Sequence, residues 1–177
     1  MINELMVHKA EMEKAFENDI NEHRLLIHKV CSIYAFTRAD RKDLFQEIVI
    51  QVWKAYPNFR GAAKISTWMY RVAINTAITA LRRQKTFITS YEPAALPVNM
   101  IDGNVNDAEE EQRQQLQQAI GRLNEIEKAI VMLYMEDKTY PEMEDIIGIS
   151  TGALRVKMSR IRAKLRELTK TFDNGNR

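Results

Sequence analysis

Positively charged and aromatic side chains alternate along one stretch of this 177-residue chain, and no acidic residue interrupts them. Cations bind phosphates and flat rings stack on unpaired bases, so this composition is suited to single-stranded nucleic acid. A solvated basic face over an aromatic core would give the same composition, and the stretch alone does not decide between them. Between Ile48 and Tyr91 there are seven cations and seven aromatic residues: Lys54, Arg60, Lys64, Arg71, Arg82, Arg83 and Lys85, with Trp53, Tyr56, Phe59, Trp68, Tyr70, Phe87 and Tyr91.

A second concentration of positive charge lies near the C-terminus. From Arg155 to Lys170 there are seven cations and one acid, whereas Arg122 to Leu154 contains three cations and seven acids. A segment with this polarity can approach the phosphates of duplex DNA while the segment before it does not. The alternatives are a basic amphipathic helix that contacts nothing and one that binds an acidic protein surface.

Capping signals place the elements that carry this charge. Asn124 with Glu127, and Thr139 with Glu142, have the spacing of capping boxes, which predicts two helix starts. The second helix is expected to end at Gly148, and Ser150 is expected to cap the next one. That last helix has an apolar face at Leu154, Met158, Ile161, Leu165 and Leu168. The pattern predicts a helix-turn-helix whose second helix enters the major groove of DNA.

The whole composition favours helices, since six glycines and four prolines are few and the apolar residues recur at three- and four-residue spacings. We therefore expect an all-α fold. The net charge of +2 is nearly neutral, so a nucleic-acid site depends on how the charges are distributed. No apolar run reaches the roughly 18 to 20 residues that span a bilayer, and we expect a cytoplasmic protein. The single cysteine, Cys31, excludes an intramolecular disulfide and is expected in the core.

Two small helical domains joined by a linker explain how residue types are distributed. Residues 90–115 contain prolines followed by acidic side chains, a composition that favours a flexible linker. The domains are expected at residues 13–89 and 116–170. The first twenty residues and the tail after Lys170 carry no readable pattern, as disordered termini would.

Within the first domain, the apolar spacing predicts three helices. The second of them ends at Pro57, because proline disfavours helix at the residue before it, and the third begins near Thr67. The inner face of the first is predicted at Leu25, Leu26, Val30, Ile33 and Tyr34.

Two long segments resemble one known family, and they cover nearly the whole chain. The segment DLFQEIVIQVWKAYPNFRGAAKISTWMYRVAINTAITALRRQK is similar to region 2 of the extracytoplasmic-function (ECF) group of the sigma-70 family. The segment LNEIEKAIVMLYMEDKTYPEMEDIIGISTGALRVKMSRIRAKLREL is similar to region 4 of the same group. The resemblance implies a factor that binds core RNA polymerase, directs it to promoters and helps to open the minus-ten region without hydrolysing a nucleotide.

The resemblance also implies which residues contact the polymerase. The helix that includes Asp43 through Trp53 would dock on the clamp helices of the beta-prime subunit, with Asp43, Gln46 and Glu47 at the interface. Acidic residues at a helix start also complement the helix dipole, and this alternative explains Asp43 better than Glu47. The beta flap and an anti-sigma factor are the further partners that the family implies.

In the same way, the resemblance implies a minus-ten site between Phe59 and Asn75. Extruding a base costs a few kcal/mol, which a pocket and stacking contacts must offset. Trp68 at a helix start beside Val72 is equally compatible with a place in the core. The residues expected to contact the minus-ten strand are Phe59, Arg60, Lys64, Ser66, Trp68, Arg71 and Asn75.

The recognition helix from Thr151 to Leu165 would read the minus-thirty-five element. Two positions depart from the family pattern: Glu144 replaces the common alanine, which suggests altered helix packing, and Val156 replaces the common serine, which leaves the bases that are read undetermined. The residues expected to contact this element are Ser150, Thr151, Arg155, Lys157 and Arg160.

No motif in the chain supports catalysis, and we expect neither an enzyme nor a cofactor. His23, His28 and Cys31 do not share one helical face, so we expect no metal site. The alternative function is a dimeric regulator that binds operators through the same helix-turn-helix. It predicts palindromic sites, and it leaves the acid-free stretch without a role.

Overall fold

The structure is a computed structural model that describes residues 2–35, 37–88, 115–116 and 118–175. It divides into two compact units, Met1–Tyr91 and Glu92–Arg177. All the secondary structure in the described ranges is helical, which confirms the predicted fold class. The predicted linker, residues 90–115, lies outside the described residues except for residue 115.

The first unit contains the helices α1 (Ile2–Glu22), α2 (Arg24–Tyr34), α3 (Arg38–Ala55) and α4 (Ile65–Ile88), with a short 3-10 helix (Tyr56–Asn58) after α3. Its core lies where α2, α3 and α4 meet. Cys31 is buried there, as predicted, and burial raises the pKa of its thiol to about 11. The core side chains without any exposed surface include Ile27, Val30, Ile48, Val52, Met69 and Ala73.

Local chemistry sets the ends of α3 and the turn that follows. The Thr37 hydroxyl oxygen accepts a hydrogen bond from the Asp40 backbone N–H at 3.0 Å and so caps the first turn. Pro57 lies two residues after the end of α3 at Ala55, where a residue without a backbone N–H cannot continue the helix. Gly61 adopts a φ of 71°, which glycine tolerates without strain, and the chain turns there toward α4.

Two details of the predicted helices are wrong. Leu25 is 73% exposed whereas Ile27 is fully buried, so the inner face of α2 is rotated from the predicted one. Both are apolar and adjacent in an apolar run, so spacing alone could not separate them. The helix α4 begins at Ile65, two residues before the predicted Thr67.

The helix α1 occupies the N-terminal residues that carry no readable pattern in the sequence. Phe16 attaches it to α3 and to the 3-10 helix. The Phe16 ring meets Trp53 edge-on at 4.8 Å and Tyr56 at 5.4 Å between centroids.

The second unit contains α5 (Glu125–Met135), α6 (Tyr140–Ile147) and α7 (Thr151–Gly175). Both predicted capping boxes are present at Asn124 and Thr139. Gly148 ends α6 with a left-handed φ of 77°, as predicted, and its N–H donates to the Glu144 carbonyl at 2.8 Å. The helix α7 runs five residues beyond the predicted domain end at Lys170.

The core of this unit confirms the first three of the five residues predicted on the inner face of the last helix. Leu154, Met158 and Ile161 are buried, whereas Leu165 and Leu168 are half-buried. Opposite them, Ile130 and Leu133 from α5 and Met143 from α6 have no exposed surface. In the helix-turn-helix, α7 therefore packs against α5 and α6 through one face.

Glu127 both caps α5 and reaches α7. Its Oε2 accepts hydrogen bonds from the Asn124 backbone N–H at 3.0 Å and from Lys164 Nζ at 2.8 Å. Burial raises the pKa of Glu127, but the hydrogen bonds from Lys164 and Asn124 outweigh it. The pKa therefore lies below its ordinary value of 4.5.

Replacing Glu127 with glutamine should keep the cap and remove the ion pair, because a glutamine oxygen still accepts the Asn124 N–H. A lowered folded-state pKa means that the charged carboxylate stabilises fully above pH 4.5 and that this stabilisation is lost as the pH falls through the folded-state pKa. We expect E127Q to lower the free energy of unfolding by about 0.5 kcal/mol at neutral pH, and by progressively less as the pH falls below 4.5, in urea titrations of the full chain. A difference that does not shrink as the pH falls would contradict this.

Candidate nucleic-acid interface

Four aromatic rings line the approach to the turn between α3 and α4. Phe59 and Trp68 have their ring centroids 5.0 Å apart, with planes tilted by 38°. Tyr56 meets the edge of Trp68 at 6.2 Å, and Phe16 supports Tyr56 from α1. Phe59 and Trp68 are each half-buried, so part of each ring remains open to solvent. The sequence was equally compatible with Trp68 in the core and with Trp68 at the DNA contact. In the structure, Trp68 lies at the boundary between core and surface.

A hydrogen bond fixes the base of this aromatic cluster. The Tyr56 hydroxyl donates to Asp19 Oδ2 at 2.5 Å, which joins α1 to the 3-10 helix. Burial and the hydrogen bond to Asp19 raise the pKa of Tyr56 to about 12, so the phenol is neutral at physiological pH. The sequence offered no signal for Asp19, because its partner is 37 residues away along the chain.

The other residues predicted at the minus-ten site surround these rings. Arg60 and Lys64 are exposed on the turn. The Lys64 carbonyl accepts a hydrogen bond from the Trp68 N–H at 3.1 Å, at the start of α4. Arg71 and Asn75 are exposed and lie three and seven residues after Trp68, on the same face of α4. Ser66 is half-buried and lies about 200° around the helix from Trp68, so it does not share that face.

The predicted polymerase-docking residues lie on α3. This helix begins at Arg38, five residues before Asp43, so the helix dipole does not account for Asp43. Asp43 and Gln46 are exposed, whereas Glu47 is half-buried and forms an ion pair of 3.4 Å with Arg83 of α4. Ile50 is 50% exposed on the same face, seven residues after Asp43, and sequence reasoning missed it.

A groove of about 200 Å³ lies between the end of α2, α3 and α4. Three carboxylates line it, from Asp40, Asp43 and Glu47, together with apolar side chains that include Leu44 and Leu81. Such a groove suits a partner that presents cations beside apolar surface.

On α7, the structure separates the cations into two groups. Arg162 donates to the Tyr134 hydroxyl at 2.7 Å, and Lys164 pairs with Glu127, so both are held against α5. Arg155, Lys157 and Arg160 are exposed. The Arg155 guanidinium lies 5.6 Å from the ring centroid of Tyr140, the first residue of α6. The three cations predicted to contact DNA are thus all exposed along α7, and the charge of Lys157 also helps to lower the pKa of Glu127.

The N-terminus of α7 is occupied by the protein itself. Glu144 Oε2 accepts the Thr151 backbone N–H at 2.8 Å and its hydroxyl at 2.5 Å, and these hydrogen bonds lower the pKa of Glu144. The Ser150 carbonyl accepts the Leu154 N–H at 2.9 Å. Thr151, one of the residues expected to contact the minus-thirty-five element, therefore donates to Glu144, the residue that departs from the family pattern.

Other kinds of site receive no support from the described parts of the chain. They contain no group of three or more His, Cys, Asp or Glu side chains placed to hold a metal ion. None of the described helices combines the length and the apolar character that crossing a membrane requires.

Comparison with known proteins identifies both units. Residues 20–87 match the family described as Sigma-70 region 2, and residues 113–165 match Sigma-70, region 4. The chain belongs to the sigma-70 family. The two matches cover more than half of its length, in the order that the sequence resemblance predicted.

Curated relatives place it in the ECF group. It is 26% identical over 172 residues to the ECF RNA polymerase sigma factor SigM of Mycobacterium tuberculosis, covering 97% of this chain and 85% of that one. It is 26% identical over 178 residues to the ECF RNA polymerase sigma-E factor of Escherichia coli, covering 91% of this chain and 93% of that one. This ECF sigma factor directs transcription initiation with RNA polymerase, binds promoter DNA and is not an enzyme.

Two solved structures share the fold. The sigma factor RpoE of Bartonella quintana, in complex with the anti-sigma factor NepR, aligns with a TM-score of 0.72 at 16% identity, over 89% of this chain and 98% of that one. CnrH in complex with the cytosolic domain of CnrY aligns with a TM-score of 0.63 at 19% identity, over 90% of each chain.

Proposed function

We propose that the Phe59–Trp68 pair is the strand-capture site of this sigma factor. The observation that supports it most is the position of the two rings, 5.0 Å apart and half-buried at the turn before α4. Stacking on an aromatic side chain contributes about 1 to 3 kcal/mol per base, which is comparable to the few kcal/mol that extruding a base costs. Two partly open rings can therefore hold a base of the minus-ten strand once it leaves the duplex.

Cations beside the rings would bind the backbone of the captured strand. Arg60 and Lys64 are exposed on the turn, and Arg71 and Asn75 continue the same face along α4. Such a path of positive charge tracks phosphates without reading sequence. Ser66 lies on another side of the helix and is the weakest member of the predicted set.

In this proposal, α3 is the helix that docks on the polymerase. Asp43 and Glu47 line the carboxylate-lined groove, and Gln46 is exposed on the same helix. An acidic face of this kind is complementary to a cationic surface of the beta-prime clamp helices. In the second unit, α7 would anchor the minus-thirty-five duplex, and the beta flap would contact the same unit from the polymerase side.

An anti-sigma factor is the further partner we infer, and the cytoplasm, where the polymerase acts, is the inferred location. The support is that one solved structure of similar fold is a complex with an anti-sigma factor. No residue of this chain identifies such a partner.

A pair of variants tests this division of labour. Holoenzyme made from core polymerase and the full chain would first select a promoter from randomised duplexes. We expect Phe59→Ala to weaken binding to a forked template whose minus-ten strand is already single, and to leave an upstream duplex fragment unaffected. Lys157→Ala should do the reverse. Equal effects of both variants on both templates would overturn the assignment.

Replacing Lys157 with alanine should also change how binding responds to salt. A cation that contacts a phosphate releases about one counterion, so its loss should reduce the slope of log affinity against log salt by about 1 for every DNA sequence. The measurement is titration of the upstream duplex at several salt concentrations. Lys164→Ala is the matched control, because Lys164 is paired with Glu127 and the slope should not change. An unchanged slope in K157A would exclude the phosphate contact.

A further inference from the structure

Along the first half of α7, the outermost line of the helix carries no charged residue. Successive residues of an α-helix are rotated by about 100°, which places this line directly opposite the buried face at Leu154, Met158 and Ile161. The residues along it are all exposed: Gly152, Val156, Ser159 and Ala163. Val156 is the one large apolar side chain among them, and it is 53% exposed.

Cations lie on both sides of this line. Arg155 is on one flank, where the Tyr140 ring orients its guanidinium, and Lys157 and Arg160 are on the other. When such a helix enters a major groove, the flanking cations face the phosphates of the two groove walls. The outermost line then faces the base edges.

Val156 can make only one kind of favourable contact there. Its side chain has no hydrogen-bonding atom, and most groups that bases present in the major groove are donors or acceptors. The C5-methyl group of thymine is the apolar exception, and small apolar side chains contact it. A valine against a donor or acceptor would instead remove water from a polar group without replacing the hydrogen bond.

The position of Val156 is not explained by packing or by helix stability. It does not pack in the core, and a β-branched residue gives an exposed helix position no advantage over alanine. In contrast, the exposed Tyr134 in the same unit is in contact with the Arg162 guanidinium, 4.9 Å from its ring centroid.

From this placement we infer that Val156 is a specificity-determining residue of the minus-thirty-five contact and that it recognises the methyl group of a thymine. The inference rests on the proposed role of α7 and adds the chemical group that is read. It also assigns a function to the position at which the chain departs from the family's common serine.

Replacing thymine with deoxyuridine tests the contact, because the two bases differ only in that methyl group. In the promoter selected by the holoenzyme, each minus-thirty-five thymine would be replaced in turn. We expect one position at which the change weakens wild-type binding about fourfold, the effect of losing one buried methyl group. In Val156→Ser, the same replacement should change binding by less than 1.5-fold.

The controls separate this inference from the proposed function. If Lys157→Ala weakens duplex binding but wild-type holoenzyme is indifferent to deoxyuridine at every position, the thymine contact alone is overturned. If Lys157→Ala has no effect either, the role of α7 itself is wrong. Equal sensitivity of V156S and wild type to deoxyuridine would show that another residue makes the contact. Because Val156 is exposed, V156S should unfold at the same temperature as wild type.

Discussion

Replacing Asp43 with lysine is expected to lower the affinity of the chain for core RNA polymerase by at least about a hundredfold. Asp43 is exposed on α3 and lines the groove that also contains the carboxylates of Asp40 and Glu47. Bringing like charges together at an interface costs several kcal/mol, and a lysine here would face the cations that the acidic groove attracts. The affinity can be measured by fluorescence anisotropy of the labelled full chain titrated with core polymerase.

Asp43 is a better position for this test than Glu47, because changing it does not break the ion pair between α3 and α4. Glu47 forms an ion pair with Arg83, so changing it would also disturb the contact between α3 and α4. The matched control is Glu17→Lys, which makes the same charge change at an exposed position of α1 in the same unit. We expect E17K to stay within about threefold of wild type, since surface charges away from an interface contribute little. Equal losses in D43K and E17K would show a general charge effect and contradict docking through α3.

Replacing Trp68 with alanine is expected to slow promoter opening about tenfold to a hundredfold. The loss of one stacked base corresponds to about 1 to 3 kcal/mol. The measurement is permanganate reactivity of thymines in the selected duplex promoter. On a template with a mismatched bubble at the minus-ten region and at saturating holoenzyme, transcription should stay within about threefold of wild type, because strand opening no longer limits the rate.

Two comparisons distinguish this role from simple packing. Trp68→Phe keeps a ring beside Phe59 and should recover most of the opening rate. The alternative is that Trp68 serves the core, since it also contacts Tyr56. In that case W68A would lower the thermal stability and affect the duplex and the bubble template equally, which would refute strand capture through this ring.

The second unit was predictable from sequence because its determinants are local. The Asn124 and Thr139 capping boxes each involve residues three apart, and Gly148 ends α6 by its own left-handed conformation. The apolar line through Leu154, Met158 and Ile161 follows from helix periodicity alone.

Features that depend on distant residues were not predictable. The hydrogen bond from Tyr56 to Asp19 joins residues 37 apart, and the ion pair of Glu47 with Arg83 joins residues 36 apart. Neither leaves a periodic trace in the sequence, and the partner of Asp19 in α1 was therefore not predictable. From the sequence, Glu144 was recognised only as a departure from the family pattern. Its hydrogen bond with Thr151 was not predictable, because it crosses the turn at Gly148.

Reconstituted transcription is the most direct test of the central claim, that this chain brings core RNA polymerase to promoters and opens them without hydrolysing a nucleotide. The purified chain would be mixed with core polymerase and with the selected promoter. We expect the chain to co-elute with core polymerase, to open the minus-ten region before any nucleotide is added, and to yield run-off transcripts from one start site. Failure to co-elute, together with a stable DNA-bound dimer of the chain alone, would contradict the claim and favour an operator-binding regulator.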